Sequence, residues 1–272
     1  MAEAGRSLLA LRLSPPRMTR RLIGALALAV VVLAWWLATM GTDVEDRLIS
    51  PVILPSPLEV FRSFPVLLNE RALLQSIAAT LKRVLIGFGL AALAGVPLGI
   101  LAGAWRVIES AGAPLALFGR NLPVAALIPL TILWFGIDET QKVMFIFIAC
   151  VPFVYSDTVA AITGVPDRYV ETAQTLGAKP WQAITKVLVP LALPEIYTSL
   201  RHLFGLAFGY IMLAELINAE HGLGFLLMAS QRRGLSEHII LILIIIGLLA
   251  YGIDRVLLWF QRGLFPHRVV EE

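Results

Sequence analysis

One cysteine, Cys150, in 272 residues rules out a disulfide framework; in the middle of an apolar run it reads as a small packing residue. Charge is scarce too. Asp, Glu, Lys and Arg make up 15% of the chain, where a soluble domain carries about 25%. The histidines, His202, His221, His238 and His267, form no i, i+4 pair and no H-E-x-x-H, so no metal site is expected. Lys82, Lys142, Lys179 and Lys186 follow Leu, Gln, Ala and Thr. The Gly-Lys-Ser/Thr core of a P-loop is therefore missing, and no nucleotide cofactor is expected on this chain. Net charge is only +3 and no basic stripe stands out, which argues against a nucleic-acid partner. What is abundant is apolar: 58% of residues, with mean hydropathy +0.82. That composition belongs in lipid.

A spanning helix needs about 20 mostly apolar residues. Six stretches qualify: 22–40, 76–104, 114–137, 141–164, 194–218 and 237–260. The expected fold class is an all-α polytopic membrane protein of six transmembrane helices. The first stretch follows Arg17, Arg20 and Arg21 as a signal peptide would. Its apolar core is too long for an h-region and no small-x-small cleavage site follows, so it reads as a retained anchor. With the N-terminus inside, fourteen of the 22 basic residues collect at cytoplasmic helix ends. Arg47, Arg62, Arg71, Lys82, Arg83, Lys142, Arg232 and Arg233 fall on the other side. The bias places both termini in the cytoplasm.

Within the spans, Gly95, Gly99 and Gly103 recur every four residues, a flat face where another helix can approach closely. Pro97, Pro123, Pro129 and Pro152 each remove a backbone donor and are expected to kink their helices. Intramembrane charges carry functional hypotheses by default. Arg120 and Asp157 each lie roughly 10 Å from the cytoplasmic ends of neighbouring antiparallel spans. Pairing between them is plausible, and a helix-to-helix tie is favoured over a solute contact. Glu215 lies about 31 Å along the fifth span, near the outer interface. There its burial is expected to cost little, and a gate, packing or ligand role stays open.

The strongest signal is the polar segment 165–195, VPDRYVETAQTLGAKPWQAITKVLVPLALPE. Pro166 and Asp167 suit a first helical turn, and Gly177 supplies a left-handed stop. Between them Tyr169, Val170, Ala173 and Leu176 recur at helical spacing. Pro180 opens a second short helix, Trp181 to Leu188, expected to end at Pro190.

That segment resembles the EAA loop of type I ABC-importer permeases, whose pattern is E-A-A, three residues, Gly, nine residues, then I-x-L-P. Here Glu171-Thr172-Ala173, Gly177 and Val187-Leu188-Val189-Pro190 keep every spacing, with size-conserving replacements at Thr172, Val187 and Val189. The likeness covers about residues 70–260. Within that superfamily the chain is similar to the nitrate/sulfonate/taurine-type permeases through Leu54-Pro55-Ser56-Pro57, Ile128-Pro129-Leu130, Leu133-Trp134-Phe135-Gly136, Ala214-Glu215-Leu216-Ile217 and Gly222-Leu223-Gly224.

The resemblance implies a type I importer permease core over 74–260 in a bacterial inner membrane. Around it lie a cytoplasmic tail 1–21, the anchor 22–40, an outer segment 41–73 and a cytoplasmic tail 261–272. It implies that ABC ATPase subunits, carrying ATP and Mg, grip the loop through Glu171, Thr172, Ala173, Leu176, Gly177, Ala178 and Pro190. It further implies a periplasmic or lipid-anchored solute-binding protein, a second permease copy, and a small anionic cargo such as a sulfonate, nitrate or bicarbonate. The rival readings are an ion-gradient carrier, with Asp157 as proton acceptor, and an intramembrane enzyme. The first lacks an internal repeat, and the second lacks a nucleophile or metal motif.

Overall fold

The structure is a computed structural model that describes residues 16–41, 47–217 and 219–266. The remaining tail residues, including Arg6, Arg12, His267 and Arg268, lie outside the described residues, as does Asn218 at the expected end of the fifth span. Among the described residues every regular element is helical.

Helix α1 (Arg17–Ala38) leads through short α2 (Pro57–Arg62) and α3 (Phe64–Glu70) to long α4 (Leu73–Ala104). Then come α5 (Arg106–Asn121), α6 (Leu127–Phe135), α7 (Glu139–Thr163) and α8 (Asp167–Thr175). After them follow α9 (Pro180–Ala183), α10 (Val189–Glu215), α11 (Leu223–Arg232) and α12 (Ser236–Leu264). Five helices are long and apolar enough to cross a membrane, and the bent α5–α6 pair makes a sixth crossing if taken as one span.

The α4–α7 contact organises the bundle. A Cβ added at Gly95 would meet Val154 Cγ1 at 2.7 Å; at Gly99, Thr158 Cβ at 2.6 Å; and at Gly103, Ile162 Cβ at 2.7 Å. The glycine face is therefore filled by α7 itself, at a backbone approach that no larger residue permits. Both residue numbers rise together along the contact, so α4 and α7 run parallel. The bent α5–α6 segment carries the chain back between them. Gly112 and Gly119 of α5 pack on Tyr155 and Pro152 of α7, which makes α5 antiparallel to it.

The third span differs from its expected form. It begins at Arg106 rather than Pro114, and it is two helices bent by 91°. The cause is local. Leu122 precedes Pro123, whose ring disfavours helical backbone at that position, and Leu122 sits at φ −67°, ψ 130°. A 3-10 turn, Val124–Ala126, then restarts the chain as α6. Pro97, Pro129 and Pro152 lie inside continuous α4, α6 and α7, so of the four prolines expected to bend spans only Pro123 breaks one.

The fifth span also differs. Pro190 does not end a short helix, and the span does not begin at Pro194. Residues 180–215 form one continuous helical span, with a π-helical turn at Ile184–Leu188 joining α9 to α10. Pro190 and Pro194 cannot donate to the preceding turn. The i−5 bond from Val189 N to the Ile184 carbonyl widens the helix just ahead of them.

The main core gathers Val84, Phe88, Phe145, Ile146, Phe204, Phe208, Ile211 and Ile242 from α4, α7, α10 and α12. A smaller cluster, Ala161, Ile162, Val165, Ala192 and Ile196, sits at the α8 end. Helix α1 is exposed over nearly all its length. It is anchored by Trp35, whose Nε1 donates to the Pro55 carbonyl at 2.9 Å. A helix apolar on all sides with so little protein around it is one that lipid covers.

Candidate functional site: an exposed helix, a membrane ion pair and a buried charge network

Helix α8 ends as its sequence requires. Gly177 adopts φ +84°, Gly177 N donates to the Gln174 carbonyl and Ala178 N to the Ala173 carbonyl, both at 2.9 Å. These two bonds are a Schellman cap, which satisfies carbonyls the helix end would leave open. No residue of α8 is buried. Leu176 is 83% exposed, Ala173 and Ala178 are half-buried, and Glu171 and Thr172 are open. The expected apolar stripe from Tyr169 to Leu176 thus exists and lies largely uncovered. Among the described residues Glu171 has no ion-pair or hydrogen-bond partner for its carboxylate, while the Thr172 hydroxyl turns back to the Arg168 carbonyl at 2.6 Å. α8 is thus a C-capped helix with an open apolar face and a carboxylate free of partners among the described residues. Pro190 lies apart from it, in the first turn of α10.

Arg120, in the last turn of α5, reaches Asp157 of α7 at 3.5 Å. The guanidinium also lies 5.1 Å from the centre of the Phe153 ring, a cation–π contact that orients it. His202 of α10 is within electrostatic reach of Asp157. Both side chains of the pair keep partial exposure, 40% and 30%. Arg120 and Asp157 are thus brought together, on a surface that one copy of the chain does not close.

Glu215 is where the structure departs furthest from the sequence reading, which put it at the interface at low burial cost. It is fully buried. Arg83 Nη1 donates to Glu215 Oε1 at 2.7 Å, and the Thr80 hydroxyl donates to the same carboxylate at 2.8 Å. Gly224 N donates to Oε2 at 2.9 Å, and Leu223 N donates to Thr80 Oγ1 at 3.0 Å. The carboxylate therefore caps the N-terminus of α11, where free amides and the helix dipole favour negative charge. Arg83 also donates from Nε to Glu139 at 2.7 Å and from Nη1 to the His221 carbonyl at 2.7 Å. A Cβ at Gly222 would fall 2.5 Å from the Glu215 carboxyl carbon, and one at Gly224 would fall 2.6 Å from the Met212 carbonyl. The Gly222-Leu223-Gly224 run is the space this network needs.

Sequence reasoning missed Arg83, Thr80 and Glu139 because it counted Arg83 and Lys142 as outer-side topology charges. Both are buried. The overlooked signal was Thr80 and Arg83 three residues apart on one face of an otherwise apolar helix. Among the described residues no three His, Cys, Asp or Glu side chains cluster to hold a metal ion.

Parallel α4 and α7, an α10 that runs antiparallel to them (Thr80 meets Glu215 and Phe88 meets Phe204) and a short amphipathic helix between spans make a multi-span helical membrane protein. Residues 95–268 match the family of binding-protein-dependent transport system inner membrane components. The chain belongs to that family and is an ABC transporter permease. It is similar to the taurine transport system permease protein TauC of Escherichia coli, at 33% identity over 88% of this chain and 87% of that protein. It is also similar to the nitrate import permease protein NrtB of Synechocystis, at 30% identity over 89% of this chain and 88% of that protein. Among solved structures, an inward-facing MetNI methionine ABC transporter covers 70% of this chain and 94% of its own, with TM-score 0.63 and 21% identity. That last likeness speaks to the fold.

Proposed function

We propose that the chain is the pathway-forming subunit of an ATP-driven importer for a small anion such as a sulfonate, nitrate or bicarbonate. In this reading a soluble binding protein delivers the solute to the end opposite α8. Two ATPase subunits, which carry ATP and Mg, grip α8 in each of two permease copies, and both termini of the chain lie in the cytoplasm. The observation that carries the reading is α8 itself: a short helix capped at its C-terminal end by Gly177, with Glu171 free and Leu176 exposed, on a membrane protein with no P-loop. The named substrates of the taurine and nitrate relatives support the anionic cargo.

Motion from α8 has a physical route into the membrane. Val165 joins the α7–α8 turn to the small core at that end, together with Ile162 of α7 and Ala192 and Ile196 of α10. A push on α8 is thus delivered to the ends of two spans at once. One turn further in, Arg120 and Asp157 sit on the surface left open between α5, α7 and α10. A guanidinium held there by one long bond and a ring contact can release Asp157 and donate to a passing anion. An ion-gradient carrier would need Asp157 free to take a proton; its pairing with Arg120 argues against that.

The test is ATP-driven uptake by the reconstituted complex. Glu171→Ala and Gly177→Asp are expected to abolish uptake and weaken ATPase assembly while the permease still folds. Wild-type uptake and assembly in both variants would overturn the docking role of α8.

A further inference from the structure

A charge at membrane depth has two stable settings, buried with a partner or facing water. Arg83 and Glu215 take the first. Arg120, Asp157 and His202 do not: the first two keep partial exposure and the His202 imidazole is exposed. Asp157 lies about 27 Å along α7 from Glu139, and His202 about 20 Å along α10 from Glu215. Both are thus within the ~30 Å depth of the hydrocarbon, where lipid cannot solvate them. The face that carries them meets water or another protein surface.

On that face the ion pair is loosely made. Arg120 Nη1 lies 3.5 Å from Asp157 Oδ1, against 2.7 Å between Arg83 and Glu215. The Phe153 ring, not a second carboxylate, steadies the guanidinium. From α10, His202 acts electrostatically on the same Asp157 carboxylate. The imidazole is itself held from behind. Arg201 Nη2 lies 3.3 Å from His202 Nε2. An arginine only donates, so Nε2 accepts and the ring proton sits on Nδ1. Arg201 Nε lies 3.2 Å from Asp254 Oδ1, and Nη1 donates to Gln261 Oε1 at 3.2 Å. Buried Gln261 is locked in turn by Thr198, to which it donates at 2.7 Å. Gly205 and Gly209 follow His202 on the same side of α10. A Cβ added at either would meet nothing within 4 Å, so the space beside the imidazole is open.

We propose that Asp157 is an internal competitor for the solute anion: its carboxylate keeps the seat on Arg120 until an oxyanion displaces it, with His202 Nδ1 as the second donor. One long bond is all the carboxylate gives up, and once displaced it turns to the water that its exposed edge already reaches. The guanidinium exchanges one charge-assisted bond for another. The anion is therefore held weakly enough to leave again, as passage through a membrane requires. The proposal rests on the importer reading and deepens it. It makes Asp157 a positioning residue of the pathway and adds His202 as a contact of the solute.

Equilibrium dialysis of the assembled permease–ATPase complex in nanodiscs, without a binding protein, tests it. The probes are labelled nitrate and labelled methanesulfonate. Asp157→Asn keeps the shape and removes the charge. It is expected to bind the better probe about fivefold more tightly than wild type, the upper end of what an exposed ion pair is worth. Asp157→Ser should do the same. Adding His202→Ala to Asp157→Asn should weaken that binding about tenfold, the share of one hydrogen bond to a charged group. Equal or weaker binding by both Asp157 variants overturns the proposal and leaves the pair a tie between α5 and α7. Saturable binding of neither probe to either variant overturns it as well, and binding unchanged by His202→Ala strikes the imidazole from the seat. ATP-driven anion uptake by the wild-type complex with its binding protein separates the two ideas. Uptake without tightening removes this seat alone, whereas no uptake of any small anion removes the importer reading.

Discussion

The two ends of the bundle treat charge in opposite ways. Opposite α8, Arg83 and Glu215 are buried, and their hydrogen-bonding capacity is largely met by Thr80, Glu139, the His221 carbonyl and the α11 amides. At the α8 end, Glu171 and the apolar stripe beside it have almost nothing of their own chain around them. One end is complete within a single copy, while the other exposes a helix that, in the proposed reading, a partner surface covers. Buried ionic groups must find partners inside the protein that buries them. An exposed helix need only be rigid before its partner arrives, because rigidity lowers the ordering cost of binding. Mutations should therefore act on stability at one end and on assembly and transport at the other.

The hardest blow to that contrast falls at Glu215. Glu215→Ala strips Arg83 of a buried counter-ion and leaves the Gly224 amide of α11 without its acceptor. Removing one partner of a buried pair costs about 3–5 kcal/mol, so the purified permease should lose that much stability in a denaturant titration. A loss below about 1 kcal/mol, the size of a surface pair, would mean that the network is not what holds this end.

The α4–α7 contact comes next. Gly99→Ala must push Thr158 and the Tyr155 carbonyl away from a Cβ that would sit 2.6–2.8 Å from them. Overpacking of this kind costs about 1–3 kcal/mol. Gly89, on the same helix, has nothing within 4 Å of an added Cβ, and Gly89→Ala should instead stabilise by about 0.5–1 kcal/mol. Opposite signs for two identical changes on one helix would locate the close face, and equal signs would remove it.

At the α8 end the effect on folding shrinks. Gly177→Ala forces a Cβ into left-handed backbone at φ +84°, a cost of roughly 1–2 kcal/mol borne by an exposed loop rather than by the bundle. Thermal melting of the permease should barely move, while transport falls as the Schellman turn rearranges. A melting shift as large as that of Glu215→Ala would erase the distinction between the two ends.

The sequence made the spans, α8 and its cap legible because each follows from local chemistry: apolar runs, a proline-started turn, a left-handed glycine. The glycine face of α4 was legible for the same reason, although its partner, α7, was not. What stayed hidden was non-local. Leu122–Pro123 looks like any other proline step until its neighbours show that the chain turns by 91° there. Pro190 and Pro194 look like helix ends until the π-turn absorbs them. Glu215 and Arg83 lie 132 positions apart. No periodicity joins residues at that distance, and hydropathy counts a buried arginine near a span end as a topology marker.

The segment between α1 and α4 carries the mildest test, a salt bridge outside the spans. Glu59 caps α2 in a capping box with Ser56, and Arg47 Nη2 reaches its carboxylate at 2.9 Å. The Arg47 hydrogen bond, helped by those from Ser56, lowers the Glu59 pKa from 4.5 to about 2. Its folded pKa lies below its unfolded one, so this carboxylate adds stability that is fully present above pH 4.5. That contribution declines as acid protonates the unfolded chain and is gone once the pH falls through about 2. The Glu59 side chain is 38% exposed, and solvent screens such a pair, so the effect should be small. Glu59→Gln should lower the melting temperature slightly at pH 7, and its gap from wild type should close as the pH drops below 4.5. A gap that stays constant down to pH 3 would mean that the Glu59 charge contributes nothing to stability, because glutamine can still accept from the Ser56 amide but carries no charge to titrate.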